Sequence, residues 1–381
     1  MKIAIIAPGL PTRGGAGRYT WELSEYFVSK NDHVSIISLY TNRDIYKEKS
    51  NLRIIDVADK YSLTQSIKFW INLSKTKKKI SKLVNEISPD VVIYMNFPAT
   101  LWADKFDKVP VLSYPQDINL LYTNTYIKNL SLPKYLLWII LRIFVRKLDK
   151  KRWKEFDEVI CNSKYSEKHI ISKYDVKSNV IHLGTRTDFF KPTTRKKNVI
   201  LTFAAQKAQR SHFLLKAIAD LIKQRNDFEV WVIGSRGSYD NELKKLASSL
   251  NISNKVKFFG MVSDEKLVDL YSQALATIHL VRQPPFGMIV TESMSCETPV
   301  IACHPGGTDE TIIHEKTGYL IGENDQENLL KYVQIFLNNP NYSYEMGKEG
   351  RKQVELYFKA ETQNEKFREL ILDWINKKSK N

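Results

Sequence analysis

Short runs of apolar, often β-branched residues alternate along this chain with longer amphipathic runs. Residues 2–7 (KIAIIA), 33–39 (HVSIISL), 90–95 (DVVIYM), 109–113 (VPVLS) and 158–161 (EVIC) predict buried strands. Amphipathic stretches at 17–30 and 63–87 lie between them and predict helices. A second series follows, with strands at 198–203, 228–233, 255–259, 275–279 and 299–302 and helices at 211–225, 239–250, 264–273 and 288–296. Strands that alternate with helices imply parallel sheets, because parallel neighbours need a crossover long enough to hold a helix. Two such series predict two doubly wound α/β domains joined near residues 184–197, which suits a chain of 381 residues. A last helix is predicted over roughly 342–377. Its apolar positions Leu356, Phe358, Phe367, Leu370, Ile371 and Trp374 need a surface to cover.

One stretch breaks the amphipathic pattern. Residues 135–145 (YLLWIILRIFV) are apolar nearly all round, yet too short for a membrane span and interrupted by Arg142. Two readings stand: a helix buried in the first domain, or an interfacial helix dipping an apolar face into a bilayer. Charge sharpens the choice. The chain carries a net charge of +16. Residues 128–156 hold nine Lys/Arg against two Asp/Glu, and residues 61–84 hold six Lys and no acid, so those segments supply 13 of the 16 charges. Basicity this local predicts an anionic partner on the first domain, such as an acidic membrane surface. No nucleic-acid-binding module is recognisable, and a nearly all-apolar run suits nucleic acid poorly. Three cysteines, Cys161, Cys296 and Cys303, are too few and too dispersed for a disulfide framework or a metal cluster, so no metal is expected and a reducing, cytoplasmic setting is. The apolar run at the N-terminus is too short for a signal peptide, and Pro8 cuts it.

Candidate chemistry lies in two loops. After the first strand, Gly14 and Gly15 precede a helix, where small residues allow a ligand close to the backbone and the helix start favours anions. A dinucleotide would also want an acid at the end of the second strand. That strand ends Ser38-Leu39-Tyr40-Thr41-Asn42, so NAD is disfavoured. The second loop is Pro285-Phe286-Gly287-Met288, with Glu292 one turn into the helix and Gly306-Gly307-Thr308 farther on. Backbone amides there suit a diphosphate, and Glu292 suits ribose hydroxyls, although a glutamate near a helix start also complements the dipole.

The order of segments resembles the glycosyltransferase family 4 group over nearly the whole chain. The resemblance is carried by Gly14-Gly15, by Val159-Ile160-Cys161-Asn162-Ser163, and by Val180 to Gly184 with Phe190-Lys191-Pro192. Phe259-Gly260-Met261-Val262, Phe286-Gly287 to Glu292, and Gly306-Gly307 to Glu310 complete it. It implies the GT-B fold, two facing Rossmann-like doubly wound parallel-sheet domains. The N-terminal acceptor-binding domain would span 1–184 and the C-terminal nucleotide-sugar domain 185–355, with a helix over 356–381 crossing back. It implies a retaining transferase moving a sugar from a nucleoside diphosphate sugar, such as a UDP- or GDP-sugar, to a glycan or lipid-linked acceptor. The cysteine usage gives the expectation of a cytoplasmic enzyme, and the local basic charge adds that of peripheral contact with the inner face of the membrane. No cofactor beyond the donor is implied. The donor-binding set would be Gly14, Gly15, Lys207, Arg210, Met261, Val262, Phe286, Gly287, Met288 and Glu292, with Ser113, Arg210 and Glu292 as the catalytic positions.

Departures from the family pattern are specific. The family's first cleft glutamate falls on Pro284, its Gly-Arg after the first strand of the second domain reads Ala204-Ala205, and its following lysine is replaced near Gln209-Arg210. A histidine that commonly ends a strand of the first domain would fall on Ser113. Arg210, with Lys207 beside it, is the expected substitute at the diphosphate, and Arg13 and Arg282 are further cationic candidates. Two alternatives remain open: a GT-B protein that binds a partner or ligand without transferring sugar, and a sugar-nucleotide epimerase.

Overall fold

The structure is a computed structural model that describes residues 1–12, 14–58, 67–117, 132–234 and 237–380. The chain divides into two compact units, Met1–His182 with Glu361–Asn381, and Leu183–Ala360.

The first unit is built on a seven-stranded parallel sheet in the order β3-β2-β1-β4-β5-β6-β7. Its strands are β1 (Lys2–Ala7), β2 (His33–Ser38), β3 (Leu52–Asp56), β4 (Val91–Met95), β5 (Val111–Tyr114), β6 (Glu158–Cys161) and β7 (Asn179–Val180). The second unit holds a six-stranded parallel sheet in the order β10-β9-β8-β11-β12-β13. These are β8 (Val199–Phe203), β9 (Glu229–Ile233), β10 (Val256–Gly260), β11 (Ala276–His279), β12 (Val300–Cys303) and β13 (Gly318–Ile321). Central strands are apolar on both faces because helices cover both: every residue of β4 is buried. In each sheet the order reverses once, at β1/β4 and at β8/β11, and ligands of such sheets bind beyond the carboxyl ends of the strands near that reversal.

Helices dock by the expected periodicity. Ile80 and Val84 of the helix Leu73–Ile87 join a core with Val92 and Tyr94. Leu214, Ile218 and Leu221 of the helix Ser211–Gln224 do the same against Ile200 and Val230. A buried carboxylate ties together three pieces of the first unit. Asp149, near the end of the helix Leu132–Arg152, accepts hydrogen bonds from Thr100 Oγ1 (2.9 Å) and Tyr174 Oη (2.7 Å), and Tyr174 stacks on Trp153 at 3.8 Å. Burial pushes the Asp149 carboxyl up to about 6, against the opposing pull of those hydrogen bonds.

Several elements differ from the sequence expectation. β3, β7 and β13 are strands where none was expected. The 63–87 stretch is not one helix: Ile67–Ile71 and Leu73–Ile87 are separate. The final stretch is also two helices, Pro340–Tyr357 and Ala360–Lys380. Between them Phe358 leaves helical geometry, and its carbonyl accepts from Thr185 N (2.7 Å) while Ala360 N donates to Thr185 O (2.9 Å). The backbone exchange with Thr185 takes over hydrogen bonds that a continuous helix would have made. Phe358 is buried against Phe286, whereas Leu356 is 70 % exposed and covers nothing. The last helix buries Phe367 and Ile371, with Phe367 5.2 Å from the Tyr114 ring. A fully buried phenylalanine contributes on the order of 1.5–3 kcal/mol. Trp374 Nε1 donates to Glu158 (3.1 Å) and Arg368 pairs with Asp32 (3.1 Å), which fixes the helix against the first unit.

Candidate functional site

At the carboxyl edge of the six-stranded sheet, two guanidinium groups converge on one amide. Arg210 follows β8 on the short turn Lys207–Gln209 and adopts φ 59°, in the left-handed region. That backbone turn aims it inward, and it is only 8 % exposed. Its Nη2 donates to Asn324 Oδ1 at 2.5 Å, and its guanidinium lies 4.6 Å from the Phe213 ring centre. Arg282, beyond β11, donates from Nη2 to the same Asn324 Oδ1 at 2.9 Å and pairs through Nε with Glu323 at 3.1 Å. Arg210 Nη1 is buried with no hydrogen-bond partner, and among the described residues no carboxylate pairs with Arg210. A nearly buried cation held by a neutral amide and an aromatic face, with the neutral Cys303 thiol beside it, is electrostatically incomplete. An anion with two or more oxygens would complete it.

The loop after β11 supplies the second part. Gly287 has φ 96°, which strains any residue with a Cβ, and it caps the helix Met288–Ser295. Gly307 has a different reason: a Cβ there would overlap the Pro285 carbonyl, and its N–H donates to Pro284 O at 2.7 Å. The Gly306-Gly307 pair thus lets two loops pack, with Pro284 presenting a backbone carbonyl where the family pattern has a carboxylate. Phe286 is buried beneath this turn. Met288 opens the helix, and its carbonyl accepts from Thr291 Oγ1 (3.1 Å). Glu292 is buried, and its Oε2 accepts from Tyr271 Oη at 3.2 Å. Met261 and Val262 follow β10, Met261 exposed and Val262 half-buried. Lys207 is exposed and turned to Glu242, with Nζ 2.7 Å from the carboxylate, so it is not gathered with Arg210.

Sequence reasoning missed His279, at the end of β11. It is buried, its Nε2 has no hydrogen-bond partner, and burial pushes its pKa down to about 4. A Cβ on Gly287 would lie 3.6 Å from that nitrogen, so a neutral imidazole underlies the Gly287 turn. The available signal was an ionisable ring at the last position of a short strand that is buried throughout. Asn324 was also missed, because its role appears only once residues 114 apart in sequence meet.

The first unit has a polar edge of its own. Gly14 precedes the helix Gly15–Ser29, whose first turn holds no acid, beyond the β1 end. Arg13 lies outside the described residues. Ser113 requires correction as a strand-end residue: β5 continues to Tyr114, and Ser113 is fully buried inside the sheet. The polar side chain beyond the β5 end is Gln116. The Gln116 backbone N–H donates to Asn96 Oδ1 (2.6 Å), and the Gln116 backbone carbonyl accepts from Asn162 Nδ2 (2.9 Å). Ser166 Oγ in turn donates to Asn162 Oδ1 (2.8 Å). The side chains of Asn96 and Asn162, beyond β4 and β6, thus meet the Gln116 backbone beyond β5 in one buried network, and Gln116 Nε2 beside it has no hydrogen-bond partner. Among the described residues no group of three His, Cys, Asp or Glu could hold a metal ion.

The family model for "Glycosyltransferase Family 4" matches residues 13–189, and that for "Glycosyl transferases group 1" matches residues 184–353. The chain is 24% identical over 225 residues to a D-inositol 3-phosphate glycosyltransferase of Streptomyces avermitilis, covering 53% of this chain and 48% of that protein. It thus spans about half that relative's length. It is 23% identical over 365 residues to an uncharacterized glycosyltransferase of Haemophilus influenzae, covering 93% and 96% of the two chains. In fold it is similar to Anabaena HepE, solved in complex with UDP-glucose, with a TM-score of 0.77 at 18% identity over 98% of this chain and 100% of that one.

Proposed function

The chain belongs to the glycosyltransferase family 4 group and has the GT-B fold, and from that premise we propose that it transfers a sugar, with retention, from a nucleoside diphosphate sugar. The observation that carries this reading is Arg210: a buried guanidinium lacking a carboxylate, with one nitrogen unsatisfied, at the carboxyl edge beside the strand-order reversal. A diphosphate supplies the missing charge and the missing acceptors. Arg282 adds a second cation, and Asn324 holds the two in register. Glu292, fixed by Tyr271, accepts from the ribose hydroxyls, and the Gly287 turn brings backbone close to the phosphates.

The chemistry these groups serve is leaving-group departure. The bond between the anomeric carbon and the diphosphate oxygen breaks as the acceptor hydroxyl oxygen bonds to that carbon on the same face. The hydroxyl proton passes to the departing phosphate oxygen. The charge that develops on the diphosphate is what Arg210 and Arg282 stabilise. Such a step needs no carboxylate nucleophile, in keeping with Pro284. That same proline favours the second reading, a protein that binds nucleotide without transferring sugar.

The first unit is the proposed acceptor side, and the charge there favours a lipid-linked acceptor at an anionic membrane. The helix Leu132–Arg152 exposes Ile143 (52 %) and Phe144 (65 %), with Lys147, Lys150 and Lys151 exposed behind them. Among the described residues no helix is long and apolar enough to cross a membrane, so the contact proposed is peripheral. Calorimetry with UDP, GDP and ADP, followed by the matching sugar nucleotides, tests the donor reading: one nucleoside diphosphate must bind, and Arg210→Met must weaken it.

A further inference from the structure

A groove of about 770 Å³ opens on the first unit between one face of the helix Leu73–Ile87 and the segments carrying Asp104 and Arg152. These three pieces lead into the amino ends of β4, β5 and β6. The groove runs along most of the helix Leu73–Ile87, from Ser74 to Glu86, and none of its lining residues belongs to the Asn96, Gln116 and Asn162 network. Among the described residues no apolar side chain lines it; the walls are four cations, two carboxylates, two serines and an asparagine.

Its charges are unequally matched. Asp104 is already committed: Oδ1 pairs with Lys77 Nζ at 3.0 Å, and Oδ2 accepts from Ser81 Oγ at 2.8 Å. Lys82 and Glu86 are exposed and 3.7 Å apart, a weak pair along one helix. Lys78 and Arg152 have no carboxylate partner among the described residues, and Arg152 Nε is buried without a hydrogen-bond partner. The surplus cations thus come from two different segments lining the groove, Lys78 from the helix Leu73–Ile87 and Arg152 from the end of the helix Leu132–Arg152, and Ser74, Ser81 and Asn85 line it with them.

We propose that this groove binds a phosphate ester carrying a small hydroxylated body, at a site distinct from the residues assigned to sugar transfer. A phosphate bridging Lys78 and Arg152 supplies acceptors for the unsatisfied Nε and neutralises the surplus charge. The volume exceeds that of one phosphate and suits a glycerol- or sugar-sized body, whose hydroxyls match Ser74, Ser81 and Asn85. The same chemistry arises from a phospholipid headgroup or from a free phosphate ester.

Two arms separate the sources. Glycerol 3-phosphate is titrated into the full chain by calorimetry, and in parallel the chain is floated with phosphatidylcholine vesicles with and without phosphatidylglycerol. The doubly substituted Lys78→Gln/Arg152→Gln chain should lose affinity about tenfold or more in at least one arm. Affinity for nucleoside diphosphate should stay unchanged, and Arg210→Met should leave the groove ligand unaffected. Loss in the soluble arm assigns a free ester; loss confined to phosphatidylglycerol vesicles assigns a headgroup. Lys78→Gln alone, on an exposed helix face, gives the same direction if the double variant fails to fold. If the intact chain binds neither probe, or binds both as well as the variants do, the groove is not an anion site.

Discussion

Replacing Arg210 with methionine removes the guanidinium while keeping an unbranched stem against Phe213. In the unliganded protein the arginine has Nη1 unsatisfied, and only the neutral Asn324 holds Nη2. Both nitrogens can therefore turn to two oxygens of a diphosphate. Each charge-assisted bond contributes at least about 1.5 kcal/mol net, so the pair contributes roughly 3 kcal/mol, or about a hundredfold in Kd. Calorimetry on Arg210→Met should show that loss for the nucleoside diphosphate and less than about twofold for the parent nucleoside, which lacks the phosphates. The unliganded variant should melt no lower than the native chain, because removing an uncompensated buried charge relieves a desolvation cost. Equal losses for nucleoside and nucleoside diphosphate would refute the reasoning and assign Arg210 to the fold or to the base. A lowered melting midpoint without ligand would refute the claim that its charge awaits a partner.

Other sites give equally specific outcomes. Glu292→Gln should weaken nucleoside and nucleoside diphosphate alike, by about 1–3 kcal/mol, since the ribose is common to both; calorimetric affinities within twofold of native would remove Glu292 from the site. Asp149 titrates near 6 in the folded chain against an ordinary 3.8, so its contribution to stability is fully present below about pH 4 and is lost as pH rises to about 6. That decline amounts to at most about 3 kcal/mol, and denaturant melts of Asp149→Asn should lack it; an unaltered slope would contradict the burial argument. Substituting Lys147, Lys150 and Lys151 together with Glu should abolish sedimentation with anionic vesicles at low salt, where each lysine contributes about 1 kcal/mol. Binding that persists unchanged would move the membrane contact elsewhere.

The central strands were legible because being buried on both faces demands continuous apolar runs such as Val91–Met95. The three strands that escaped notice, β3, β7 and β13, are all outermost in their sheets. An edge strand has one neighbour and needs less apolar sequence: in β3 Leu52 and Ile54 are buried while Arg53 is exposed, and β7 is only two residues long. The break at Phe358 was invisible because it depends on backbone pairing with Thr185, far away in sequence. Arg210 could be chosen from the sequence because it stands near the position of the family's lysine. Its partners Asn324 and Arg282 could not be matched to it, since hydrogen bonds across more than 40 residues leave no local pattern. The strand carrying Ser113 ends one residue later than its sequence suggests: β5 runs through Tyr114, and the polar edge begins with Gln116. Lys207 carries the right charge near the right place, but Glu242 holds it outward.

Proton NMR of the sugar released from, or transferred off, a nucleoside diphosphate donor tests the central claim most directly. The chain is incubated with UDP-, GDP- and ADP-sugars, with water or added glycan and lipid-linked acceptors, and the anomeric signal is read before mutarotation. The account predicts nucleoside diphosphate release from one donor, a product with the donor's anomeric configuration, and loss of both in Arg210→Met. Nucleotide binding with no release under any of these conditions, or a product of inverted configuration, would contradict it.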